Sequence, residues 1–148
     1  MAQALSASEP IQAAGMTIQF LVESEESNGA LSVFRCDLPV GSRVPAPHSH
    51  DAFDETVYGL DGVTTFTVGG ARTDLSPGEG LFIPRRVVHG FTNGGDADAR
   101  FLAIISPGLL GSDYFRDVAD VLAGGGPPDP ELIGEVMRRH GLTPAPPA

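Results

Sequence analysis

From residue 16 to residue 106 the sequence breaks into short runs of β-branched and aromatic residues, interrupted by glycine, proline or aspartate roughly every eight to twelve residues. This rhythm constrains the fold more than any other feature. Such short segments suit strands joined by tight turns in an antiparallel sandwich or barrel, an all-β architecture. Strands are expected at 16–22, 30–36, 55–60, 63–68, 80–83, 88–93 and 100–105. Their joints carry turn chemistry: Ser27-Asn28-Gly29, Asp61-Gly62, Gly69-Gly70, Ser76-Pro77-Gly78 and Asn93-Gly94-Gly95. With 148 residues, 41% of them hydrophobic, the chain has the size and apolar content of one domain and no room for a second.

After Ser106-Pro107-Gly108 the period changes. Tyr114, Phe115, Val118, Ala119, Val121 and Leu122 recur at helical spacing, which predicts a helix over 112–123. Gly124-Gly125-Gly126-Pro127-Pro128 ends it. Asp129 can then cap a second helix, with Pro130 at its first position, running to about His140 before Gly141 and presenting Leu132, Ile133, Val136 and Met137. Both helices are too short to be stable alone, so they must bury their apolar faces on the barrel or on a second subunit. The expected organisation is an N-terminal arm (1–15), a β-barrel (16–108), a helical extension (109–141) and an irregular, proline-rich tail (142–148).

Composition excludes several chemistries. All nine basic residues are arginine, so Schiff-base catalysis and a phosphate loop ending in Gly-Lys-Ser/Thr are both ruled out. Cys36 is the only cysteine, which excludes an intrachain disulfide and a cysteine-rich zinc site; it reads as a small buried strand residue. A net charge of -10 repels a phosphate backbone, so nucleic acid is not an expected partner. Phe101-Leu102-Ala103-Ile104-Ile105 is far shorter than the roughly 20 apolar residues of a membrane-spanning helix, and no membrane partner is expected. Residues 1–6 have no basic group before a hydrophobic run, which reads against a secretory signal and gives a cytoplasmic location as the expectation.

Pro47-His48-Ser49-His50 carries two histidines at strand spacing, so both imidazoles can aim at one point inside the barrel. Glu55, after the bend Asp51-Ala52-Phe53-Asp54, can return a carboxylate to that point, and His89 lies on a later strand with Phe91 and Asn93 on its face. Three neutral nitrogen donors and a carboxylate suit one divalent transition ion, with positions left open for water or substrate. Fe, Mn, Ni, Co, Cu and Zn all accept such a set. Neighbouring strand residues face opposite ways, so Asp54 should point outward to a turn or surface hydrogen bond. Counting in twos from Glu55 puts Val57 and Gly59 inward and Tyr58 and Leu60 outward. Gly59 is thereby expected to leave space near the ion. Phe53, Phe66, Phe82, Phe91 and Phe101 are available as apolar lining for a small-molecule substrate. His140 is expected to favour the negative end of the second helix rather than to bind metal.

The spacing Gly41-x6-His48-x-His50-x4-Glu55-x6-Gly62, followed by Gly78-x5-Pro84-x4-His89-x3-Asn93, resembles the two motifs of the cupin superfamily. The resemblance implies a cupin-type jelly-roll β-barrel with two short C-terminal helices, and His48, His50, Glu55 and His89 as metal ligands. Two departures stand out: the first glycine lies one residue further from His48 than usual, and Pro84-Arg85-Arg86 replaces the usual Pro-x-Gly. An arginine at a positive-φ turn costs about 1 kcal/mol or more, so either the turn differs or Arg86 is held in place. Phe53-Asp54-Glu55-Thr56-Val57-Tyr58-Gly59-Leu60-Asp61-Gly62 and Ile83-Pro84 are similar to small single-barrel cupins grouped with quercetin dioxygenases. That similarity implies a metal-dependent dioxygenase acting on a small aromatic or phenolic, flavonol-like substrate, with Glu55 also accepting a proton. The alternatives are an isomerase or lyase using the ion as Lewis acid, and a non-catalytic small-molecule-binding cupin. Outward Tyr58 and Leu60 and the apolar helices point to a homodimer.

Overall fold

The computed structural model describes residues 4–44 and 46–146. In chain order the elements are β1 (Ile11–Ala13), β2 (Met16–Val22), β3 (Ser32–Leu38), β4 (His48–His50), β5 (Asp54–Asp61), β6 (Thr64–Val68), β7 (Ala71–Leu75), β8 (Gly80–Ile83), β9 (His89–Thr92), β10 (Ala99–Ser106), α1 (Ser112–Leu122), α2 (Pro130–Arg139) and β11 (Leu142–Pro144). They form two antiparallel sheets, ordered β1-β2-β3-β10-β5-β8 and β11-β4-β9-β6-β7. The sheets pack face to face: Phe66 and Phe91 of the second meet Phe101 of the first at ring-centroid distances of 5.3 and 5.2 Å. This is a jelly roll with two C-terminal helices, as the sequence implies.

Period-two burial drives the layering. Ser32, Phe34, Cys36 and Leu38 turn inward from β3, and Ala99, Phe101, Ala103 and Ile105 from β10, while their neighbours are only half-buried. Gly69 and Gly70, both at positive φ, make the two-residue hairpin between β6 and β7, where a side chain would be strained.

Four strands escape a reading from hydrophobic pattern. β4 is too short to show a period, and β7 (Ala-Arg-Thr-Asp-Leu) is an exposed edge strand with few strand-forming residues. β1 lies in the segment expected to be an arm. β11 lies in the tail expected to be irregular; Pro144 is tolerated there because β11 is an edge strand. Residues 1–3 of that arm and 147–148 of that tail lie outside the described residues.

The helices seal one side of the sandwich. β1 and β11 are the edges of their sheets; α1 packs on β1, α2 on β11, and the helices on each other. Tyr114, Val118, Ile133, Val136 and Met137 are thereby buried against the barrel of the same chain. Asp129 caps α2 through the Glu131 N–H at 2.9 Å. The Glu23 carboxylate does the same for α1, accepting from the Ser112 N–H at 3.0 Å and Oγ at 2.7 Å. No described helix is long and apolar enough to cross a membrane.

Candidate metal centre

β4 and β9 lie side by side, with His48 directly opposite His89. Strand alternation turns His48 and His50 to the interior together, and the three imidazoles converge, with ring centroids 4.5 to 5.2 Å apart. One ligand atom from each lies within 4.8 Å of the others. Glu55 enters from β5 in the opposite sheet, its Oε1 3.8 Å from His50 Nε2 and 4.0 Å from His89 Nε2. It therefore stands beside the histidine triangle, on the side of His50 and His89.

Backbone carbonyls set two of the ring orientations. His48 Nδ1 donates to the Ala46 carbonyl at 2.8 Å and His89 Nδ1 to the Val87 carbonyl at 3.0 Å, leaving each Nε2 with its lone pair toward the centre. His50 is held otherwise. Its ring stacks on Phe53 at 4.4 Å, its main chain pairs with Leu142 of β11, and its carbonyl accepts from the Arg86 N–H at 2.7 Å. Arg86 does adopt a positive φ of 67°, and this hydrogen bond to the ligand strand is what holds it there. His50 Nδ1 is buried without a partner among the described residues.

Electrostatics favour the donor state. Burial, reinforced by the neighbouring imidazoles, pushes His50 down to about 2, and burial with the field of His89 pushes His48 down to about 4. His89 is lowered by burial as well. All three are thus neutral donors near neutral pH. Burial raises Glu55 to about 7, since no described cation faces it. The donor set fits a divalent transition ion: three imidazoles whose ligand atoms converge, with a carboxylate alongside.

The remaining expected residues fall on both sides of the line. Asp54 points outward, its carboxylate accepting from the Arg85 N–H, Nε and Nη2 at 2.8 to 3.2 Å, which holds it below the ordinary carboxylate range. His140 caps α2 and binds Asp117 at 2.7 Å, away from the centre. Asn93 is structural: its amide donates to the Leu38 and Ala97 carbonyls at 2.9 Å. Phe91 and Phe101 line the cavity beside the histidines. Phe53 backs His50, and Phe66 and Val57 are core residues behind the lining. Phe82 is 56% exposed on the outer face and is not among the described residues that line this cavity.

Gly59 corrects an expectation. It faces inward as alternation requires, but it leaves no space: a Cβ there would overlap the Ser76 carbonyl oxygen and lie 2.8 Å from the carbonyl carbon. The Ser76-Pro77-Gly78 turn occupies that position, with Gly59 bonded to Glu79 and Gly78 at 2.9 and 3.0 Å. The cavity lies instead toward β2, β3 and α1, lined by Met16, Ile18, Phe34, Cys36, Tyr114, Phe115 and Val118. Inward alternation in β2 and β3 could have signalled the first four. The helical residues could not be placed without knowing where α1 docks.

The cupin domain family matches residues 34–105, which contain all four converging residues, and with the jelly-roll fold this makes the segment a cupin domain. The chain is a small cupin resembling the quercetin dioxygenase group: it is 26% identical over 106 residues to the quercetin 2,3-dioxygenase of Bacillus subtilis (strain 168). That alignment covers 72% of this chain and 31% of the relative, so the chain spans about a third of that protein's length. Among solved structures, the polyketide cyclase RemF from Streptomyces resistomycificus aligns with a TM-score of 0.57 at 22% identity, covering 72% of this chain and 78% of that one. A protein described as a predicted oxalate decarboxylase from Thermotoga maritima aligns at 0.60 and 25%, covering 72% and 98%. A sugar phosphate isomerase of the cupin superfamily from Silicibacter pomeroyi aligns at 0.55 and 19%, covering 70% and 71%. These neighbours share the fold across several activities.

Proposed function

We propose that this cupin is a metal-dependent dioxygenase acting on a small aromatic or phenolic molecule, with one divalent transition ion held by His48, His50, His89 and Glu55. The carrying observation is the convergence of three neutral imidazoles and a buried carboxylate at one end of an apolar cavity. A bound ion would supply Lewis acidity and, for a redox-active metal, electron exchange with dioxygen. The chain's own groups do the rest. The carbonyls of Ala46 and Val87 fix two imidazoles in their lone-pair-inward orientation. Glu55, buried beside the histidines, is placed to accept a proton from a substrate hydroxyl. Phe34, Phe91 and Phe101 exclude water from the space above it.

The activities named for the structural neighbours favour a second reading, in which a metal-dependent isomerase, cyclase or decarboxylase uses the same donors without dioxygen. Among the described residues no arginine lines the cavity, which argues against a sugar phosphate as its substrate. Oxygen uptake by the metal-loaded protein with a panel of phenols separates the readings. Substrate-dependent uptake supports the dioxygenase; turnover that proceeds equally under nitrogen rejects it in favour of the second reading; binding without turnover in either gas leaves a ligand-binding cupin. We also infer a cytoplasmic homodimer formed through the outer face that carries Tyr58, 44% exposed, and Phe82, to be tested by scattering in solution.

A further inference from the structure

Beyond the histidines and Glu55, the cavity wall is almost wholly apolar, and Tyr114 is the residue that breaks the pattern. It sits in the first turn of α1, is 4% exposed and faces the cavity. Its hydroxyl is not an orphaned buried atom: among the described residues only His50 Nδ1 is. A phenol lining a cavity in this way can offer one hydrogen bond to a ligand held there. Burial holds it well above its usual range, so it is a neutral donor. Its position is also fixed from several sides. Its ring meets Phe115 and His140 edge-on at 5.0 and 5.5 Å, His140 is tied to Asp117, and Glu23 anchors the start of the helix.

Tyr114 enters from the helical edge of the sandwich, whereas the histidines stand on β4 and β9 of the second sheet. The space between is small. The enclosed volume is about 50 Å³, against roughly 300–1,000 Å³ for sites that take drug-sized ligands. A flavonol is too large for it.

We propose that Tyr114 is the second anchor of this site and selects a compact, mostly apolar molecule with a metal-seeking oxygen at one end and a hydrogen-bonding oxygen at the other. The inference rests on the metal-site reading above and adds the substrate class to it. Tyr114 acts as a specificity-determining residue that touches the ligand, with no part in holding the ion.

Calorimetric titration of the zinc-loaded full chain with phenol, the three benzenediols and quercetin tests this, in the parent and in Tyr114→Phe; zinc keeps redox turnover out. At least one benzenediol should bind the parent more tightly than phenol does. Tyr114→Phe should cut that advantage by about three- to tenfold, the worth of one hydrogen bond, with phenol and zinc affinities unchanged within about twofold. Quercetin should bind at least about tenfold more weakly than the best diol. A diol advantage that survives Tyr114→Phe, an equal fall for phenol and diol, no diol better than phenol, or quercetin bound as tightly as the diols would overturn the proposal. Failure of the parent to take up zinc would instead sink the metal-site reading, and the same titration of the metal-free chain would then decide the role of Tyr114 on its own.

Discussion

The two ends of the cavity are built by different physics. At the strand end, His48 and His89 are oriented by main-chain carbonyls and His50 by pairing with β11 and by the Arg86 N–H on its carbonyl, so the donor geometry belongs to the main chain itself. At the helical end, Tyr114 and Val118 are carried by a helix whose placement depends on side chains: Glu23 on Ser112, and His140 on Asp117. Backbone-fixed groups suit a site that must hold a cation in fixed geometry. Side-chain-fixed groups are easier to shift and replace, which suits the part that chooses a ligand.

Because the two ends are held separately, changes at one end should leave the other intact. The largest effect is expected at the strand end: His89→Ala should weaken retention of the ion by more than about 100-fold, the upper range seen for groups that only orient ligands, while circular dichroism reports an unchanged barrel. A variant that holds the ion as tightly as the parent would remove His89 from the ligand set.

Next is Glu55. Its folded pKa of about 7 stands above the ordinary 4.5, so its stabilising contribution to the metal-free fold is complete below pH 4.5 and is lost as pH rises through about 7. Glu55→Gln should therefore make the metal-free protein more stable than the parent at pH 8, by about 3 kcal/mol at most, and the two should converge at low pH. The histidines have the opposite slope, losing stability as pH falls below 6.5, but it is common to both proteins. Denaturant titrations of both across pH 4 to 8, at fixed ionic strength, give the difference directly; a constant gap would contradict the buried, ion-free carboxylate.

Gly59→Ala should cost about 1–3 kcal/mol through its collision with the Ser76 carbonyl, with ion affinity unchanged; a neutral outcome would mean the turn can move aside. Smallest is Glu23→Ala, which should cost about 1 kcal/mol as a lost helix cap and weaken ligand binding without altering ion affinity. Equal losses of ligand and ion binding would break the division between the two ends.

The strand end is legible in the sequence because its information is local: the spacing of His48 and His50 alone turns both rings to one face, and the same alternation sends Asp54 outward to Arg85. The helical end is not. The apolar face of α1 is plain, yet nothing in Tyr114 or Val118 says which surface it covers, and β11 hides in a tail whose prolines read as irregular. Gly59 fails for a related reason: alternation gives its direction, but the Ser76-Pro77 turn that fills the space comes from a segment distant in sequence.

The most direct test is anomalous diffraction from crystals of the full chain grown with cobalt(II). The account predicts a single strong peak bonded to His48, His50 and His89 at about 2.0–2.2 Å, with the Glu55 carboxylate turned toward it. Data with no peak there, or with the ion bound elsewhere and the three rings unmoved, would contradict it.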